Sequence, residues 1–220
     1  MSTSIDALVD GAQAALAEYA SFTQEQVDHI VRKASVAALH VHGELATMAV
    51  EETGRGLFED KAVKNMFACE HVTNSIINQK TVGVISHVEL TGITEIADPV
   101  GVICALTPVT NPTSTAIFKS LLALKTRNPI IFGFHPSAQK SSAEAARVVR
   151  DAAIAAGAGV LGVVGSLFGM TVDPKRFAFS WLFAFVTFLT PALGMLFFVL
   201  VQRLTVAGWS VTVRRTAETF

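Results

Sequence analysis

The residues best suited to chemistry lie between Thr107 and Ala138, in TPVTNPTSTAIFKSLLALKTRNPIIFGFHPSA. Ile117, Leu121 and Leu124 recur at helical spacing and predict a helix over 113–126. Thr113, Ser114 and Thr115 open it, so their hydroxyls and the free N–H groups of a helix start could receive an anion. The same cluster serves equally as a cap. Asn111, just upstream, has a side chain suited to capping that helix. Lys119 and Lys125 fall away from the apolar stripe and are expected in solvent. The only thiols are Cys69 and Cys104; Cys104 lies in the apolar run GVICAL, where burial raises a thiol's pKa and makes it inert. His40 and His42 project about 200° apart on a helix, which disfavours a shared metal ion, and no metal site is expected. Glu59 and Asp60 suit the first turn of a helix rather than acid–base work.

These residues need elements to hold them. GVICAL and PIIFGF are short apolar runs bounded by turn residues, as expected of strands buried on both faces. With the helix between them they form a strand–helix–strand unit with a parallel pair and a right-handed crossover. Open parallel sheets bind ligands at the carboxyl ends of their strands, which is where TPVTN lies. The turn from GVICAL into the helix carries no GxGxxG, so the common dinucleotide fingerprint is absent at that turn.

Upstream, residues 4–19 read as an amphipathic helix with Ile5, Leu8, Val9 and Leu16 near one stripe. Thr23 and Gln26 form a capping box for a long helix to about Thr53, burying Ile30, Ala34, Ala37, Ala38, Val41, Leu45 and Met48; Gly54 and Gly56 end it. Residues 58–77 predict another helix with Val63, Met66, Phe67 and Ile77 inward. Residues 82–97 alternate and suggest two strands with a turn near Thr91-Gly92. Residues 137–156 return to helix, with Ala145, Val148, Val149 and Ala152 on the apolar side.

The chain has 220 residues and a formal net charge of −1, which gives no electrostatic case for nucleic acid. Its two cysteines fit a reducing compartment, and the acidic N-terminus does not read as a secretory signal. Almost all acidic residues precede Asp173. Ile154 to Val172 and Phe177 to Gln202 carry no charge, each near the ~20 residues that span a hydrocarbon core. Gly165 and Gly169 form a GxxxG, and Pro191 suggests a kink. A membrane α-helical hairpin over residues 157–204 is therefore expected, with a cytoplasmic front portion.

The blocks EYASFTQEQVDHIV, EDKAVKNMFACE and TPVTNPTSTAIFKSLLALKTRNPIIFGFHPSA resemble the amino-terminal part of CoA-acylating aldehyde dehydrogenases, in particular the aldehyde dehydrogenase half of bifunctional aldehyde–alcohol dehydrogenases. The resemblance covers about residues 1–158. It implies reduction of acyl-CoA to aldehyde with NAD(H) through a cysteine thioester, in an α/β, Rossmann-type nucleotide-binding domain. By this resemblance Asn111 is an oxyanion donor. Thr107, Pro108 and Thr110 shape the cofactor loop, and His135, Pro136 and Ser137 lie beside the adenosine. Neither Cys69 nor Cys104 matches the family's nucleophile, so the chain alone is expected to be inactive. The implied partners are acyl-CoA and aldehyde, with a homo-oligomer possible. DPKRFAFSWLFAFVTFLTPALGMLFFVLVQRLTVAGWSVTVRRTAE resembles a membrane subunit of quinol:cytochrome c oxidoreductase (alternative complex III), whose alternative role would be a membrane anchor of an electron-transfer complex. An incomplete aldehyde-dehydrogenase-like domain over residues 1–156 and a two-helix membrane segment over 157–220 are the domains expected.

Overall fold

The computed structural model describes residues 5–157. The expected membrane hairpin and the second resemblance lie outside the described residues. Among the described residues no helix is long and apolar enough to cross a membrane.

Helix α1 (Ile5–Tyr19) buries Leu8, Ala12, Ala15 and Tyr19, while Ile5 is exposed, one turn beyond the packed stripe. Helix α2 (Gln24–His40) opens with the expected capping box: the Thr23 hydroxyl accepts from the Gln26 N–H, and the Gln26 side chain accepts from the Thr23 N–H. The single long helix expected to Thr53 is instead two, with α3 (His42–Thr53) following after Val41. His42 Nδ1 donates to the Leu39 carbonyl at 2.6 Å. That carbonyl would receive the Gly43 N–H in a continuous helix, so the side chain bond accounts for the break. Gly54 ends α3 at φ 61°, a left-handed conformation that favours glycine.

Helix α4 (Phe58–Ile76) is rotated from its expected phase. Val63 and Phe67 are exposed, and the buried stripe is Lys61, Asn65, Ala68, Cys69, Thr73 and Ile76. Some of its polar groups find partners: Asn65 Nδ2 donates to the His42 carbonyl at 2.9 Å, and the Cys69 carbonyl accepts from the Ser35 hydroxyl at 2.7 Å, whereas the Thr73 hydroxyl is buried with none. Strands β1 (Gly83–Val88) and β2 (Ile93–Ala97) form the expected antiparallel hairpin, with Gly92 at φ 66° in its turn.

The strand–helix–strand unit is present as β3 (Ile103–Leu106), α5 (Pro112–Lys125) and β4 (Ile130–Gly133). The strands are parallel, with Ile103 opposite Ile130 and Leu106 opposite Gly133. Ala105, Ile130, Phe132 and Phe134 enter the core together with Ile117 and Leu121 of α5. The strands are not covered on both faces: Cys104 is exposed, against the expectation of a buried thiol, because its side of this two-stranded sheet lacks a packed layer among the described residues. Lys125 also departs from expectation. It is 1% exposed, its ammonium donating to Asp28 and to the Ile77 carbonyl. A 3-10 turn (Pro136–Ala138) leads into α6 (Gln139–Ala155), which buries Ser141, Ser142, Ala145, Ala146, Val149 and Ala153, leaving Val148 and Ala152 half-buried.

The two thiols should behave differently. Cys69 is fully buried, and burial pushes its pKa up to about 12, with Glu70 adding to the effect. A disulfide reagent at pH 8 is expected to label one thiol quickly in the native chain and two in denaturant. Cys104→Ser should abolish the fast phase; a fast phase surviving that substitution would show that α4 opens readily.

Candidate active site

Because β3 and β4 are parallel and in register, the chain leaves both at one edge of the sheet. Thr107 to Asn111 leaves β3, and Phe134 to Ser137 leaves β4. The Thr107 N–H donates to the Gly133 carbonyl at 3.0 Å, carrying the ladder one step further. Thr107 is fully buried and its hydroxyl has no partner, so it shapes the strand end from beneath. Pro108 is half-buried, and Thr110, Pro136 and Ser137 are exposed. His135 Nδ1 accepts from the Ser137 N–H at 3.1 Å, which orients the ring. The residues expected around a cofactor thus stand at the carboxyl edge of one parallel pair.

Asn111 heads α5 at φ −134° and ψ 60°, and its carbonyl accepts from the Thr115 N–H at 3.2 Å. It holds the cap position without a side-chain cap bond, and its amide oxygen is buried with no partner. Pro112 at the first helical position needs no N–H and is preset for the helix. The anion seat expected at Thr113–Thr115 is partly committed elsewhere: the Thr113 hydroxyl donates to Asn65 Oδ1 at 2.8 Å, in a buried contact between α5 and α4.

Two lysines missed as site residues close over this loop. Lys61 Nζ donates to the Thr110 carbonyl at 3.0 Å, and Lys119 Nζ to the Leu106 carbonyl at 2.6 Å. Burial lowers the pKa of both, with Lys64 adding to the effect at Lys61 and Cys104 opposing it at Lys119. The Lys61 ammonium is therefore a cost to folding at neutral pH, relieved only as pH rises from its folded value toward that of an unfolded lysine. Their signal in the sequence was weak, since lysines beside an apolar stripe are most often solvated. The N-terminus of α6 is closed to ligands of its own: Glu52 accepts from the Lys140 N–H at 2.8 Å and the Ser141 N–H at 2.7 Å. Among the described residues no three His, Cys, Asp or Glu side chains gather as a metal would need.

The chain is similar to known proteins. A family model described as the aldehyde dehydrogenase family matches residues 1–172. The chain belongs to that family. It is 67% identical over 156 residues to aldehyde-alcohol dehydrogenase 2 of Entamoeba histolytica, covering 70% of this chain and 18% of the relative. The chain thus spans less than a fifth of that aldehyde–alcohol dehydrogenase, and matches the acylating aldehyde dehydrogenase part of such bifunctional proteins. An acetylating aldehyde dehydrogenase from Geobacillus thermoglucosidasius superposes with a TM-score of 0.73 at 46% identity, over 78% of this chain and 37% of that one. Two more distant relatives in the family were solved with ligands. An engineered glycolyl-CoA reductase holds NADP+ (29% identity, TM-score 0.63, 80% of this chain and 38% of that one). Propionaldehyde dehydrogenase of Rhodopseudomonas palustris holds propionyl-CoA (28% identity, TM-score 0.66, 80% and 38%). The aldehyde dehydrogenase fold expected for the front of the chain is thereby established as a partial α/β domain of that type.

Proposed function

We propose that residues 1–156 are part of an NAD-dependent, CoA-acylating aldehyde dehydrogenase that reduces acyl-CoA to aldehyde, and that Asn111 is its oxyanion donor. The observation that carries this is the state of Asn111. The backbone fixes it at the head of α5, while its side chain makes no cap bond and keeps a buried, unpartnered oxygen. A capping asparagine would spend that oxygen on a helix N–H. An amide not spent on the helix can turn its N–H toward the oxygen of an acyl carbon as charge develops there, and preorganised donors of this kind contribute most to acyl transfer. The start of α5 adds the positive end of its dipole.

A nicotinamide nucleotide would supply or accept the hydride. The residues fit the adenosine part of such a molecule: Pro108, Thr110, Pro136 and Ser137 present accessible surface along one strand edge, with Thr107 and His135 shaping it from beneath and beside. The N-terminus of α6 does not fit a pyrophosphate, because the Glu52 carboxylate already fills it. Neither cysteine supports the covalent step. Cys69 is buried in α4, and Cys104 stands two residues before the end of β3, roughly 7 Å short of the loop.

The test is a chimaera in which residues 5–157 replace the matching segment of the E. histolytica enzyme. Asn111→Ala is expected to reduce kcat for acyl-CoA reduction ~100–1,000-fold. An unchanged kcat would overturn the oxyanion role.

A further inference from the structure

We infer that Lys61 and Asn65 are positioning residues, an i, i+4 pair on α4 that holds the two flanks of Asn111. The inference rests on the proposed role of Asn111 for its consequence in catalysis, though not for the geometry. Lys61 Nζ takes the carbonyl of Thr110, the residue before Asn111, at 3.0 Å. Asn65 Oδ1 takes the hydroxyl of Thr113, two residues after it, at 2.8 Å. Residues four apart lie on one helix face, so a single rigid element grips both sides of the loop–helix junction. The grip is anchored in turn, because Asn65 Nδ2 donates to the His42 carbonyl at the start of α3. Lys61 is 5% exposed and Asn65 1% exposed; the Thr113–Asn65 bond is buried and the Lys61–Thr110 bond part-buried.

Among the described residues no carboxylate answers the Lys61 ammonium; its partner is a loop carbonyl. Burying an unpaired ammonium is costly, and a methionine would fill the same volume without that cost. What the lysine adds is a fixed height for the Thr110 peptide, and therefore for the Cα of Asn111. The same device explains the phase of α4, which buries this polar stripe and leaves Val63 and Phe67 outside.

The first measurement is amide hydrogen exchange on the full 220-residue chain. In Lys61→Met, exchange over residues 109–115 should speed up tenfold or more while the amides of α2 and α6 keep their protection, and Lys61→Arg should restore the loop. Equal protection in Lys61→Met and the parent chain would overturn the clamp. Should Lys61→Met fail to fold, Thr113→Val removes only the hydroxyl held by Asn65 and is read in the same way. The second measurement is in the chimaera, where Lys61→Met should lower kcat ~10–100-fold with KM changed less than twofold, and Arg should recover most of it. Loss of activity in Asn111→Ala with none in Lys61→Met would sink the clamp alone. Faster loop exchange in Lys61→Met together with an inert Asn111→Ala would sink the oxyanion reading and leave the clamp standing.

Discussion

Asp28→Asn is expected to destabilise the chain by about 3–5 kcal/mol, the range for removing one partner of a buried ion pair. Lys125 at the end of α5 is 1% exposed, and its ammonium reaches Asp28 and the Ile77 carbonyl. Asparagine keeps the shape of Asp28 but removes the counter-charge, leaving an ammonium with neutral acceptors only. Asp28 itself is 21% exposed, so some water reaches the pair and the loss belongs at the lower end. The pair also sits at a junction. Gln24 donates to Asp28 and accepts from the Thr81 and Val82 N–H groups, and the Thr81 hydroxyl donates to the Lys125 carbonyl. Loosening it frees the approach to β1 as well as the contact between α2 and α5. Urea denaturation of Asp28→Asn, Lys125→Met and the double variant separates these terms. The double variant should lie closer to the parent than Asp28→Asn does, since methionine needs no counter-charge. A cost below about 1 kcal/mol for Asp28→Asn would mean the pair behaves as a surface bridge.

The sequence disclosed whatever was decided within a few residues. The Thr23–Gln26 capping box, the left-handed Gly54, the Gly92 turn and the strand–helix–strand order all formed as read, because each is closed by neighbours along the chain. Apart from the break between α2 and α3, which the local His42–Leu39 bond accounts for, the misreadings share the opposite property. Lys125 is buried because a residue 97 positions away meets it. Helix α4 carries two overlapping stripes, and the choice between Val63/Phe67 and Lys61/Asn65 was made by the Thr110 and Thr113 groups 48 or 49 positions downstream. Glu52 reaches the start of α6 across 88 positions. Cys104 was assigned to a strand covered on both faces, and covering layers are tertiary. At the site, the strand edge followed from periodicity, whereas the choice between cap and oxyanion donor for Asn111 needed the resemblance. The structure adds that the cap position is held without the cap bond.

Phe132→Ala should cost about 3–5 kcal/mol, as removal of a buried phenyl ring does when the surroundings cannot collapse. Phe132 is 1% exposed on β4, opposite Ala105 of β3, and its ring lies 5.2 Å from that of Phe134 at an interplanar angle of 17°. These rings lie on the covered side of the parallel pair, where α5 packs against β4. Its strand partner Ala105 is small and buried and cannot reach into the space the ring leaves. Folded domains hold only ~5–15 kcal/mol in total, so this one ring decides a large share of the margin. The melting temperature should fall by about 10 °C, and the loss should extend to the Thr107–Gly133 hydrogen bond that shapes the site edge. Phe132→Leu keeps most of the volume and should cost less than half as much. The exposed side of the same sheet offers the control, since Cys104→Ala removes only a sulfur already in contact with solvent and should change stability by under about 0.5 kcal/mol. If Phe132→Ala and Cys104→Ala destabilise equally, the sheet is packed on both sides and the one-sided core described for β3 and β4 is wrong.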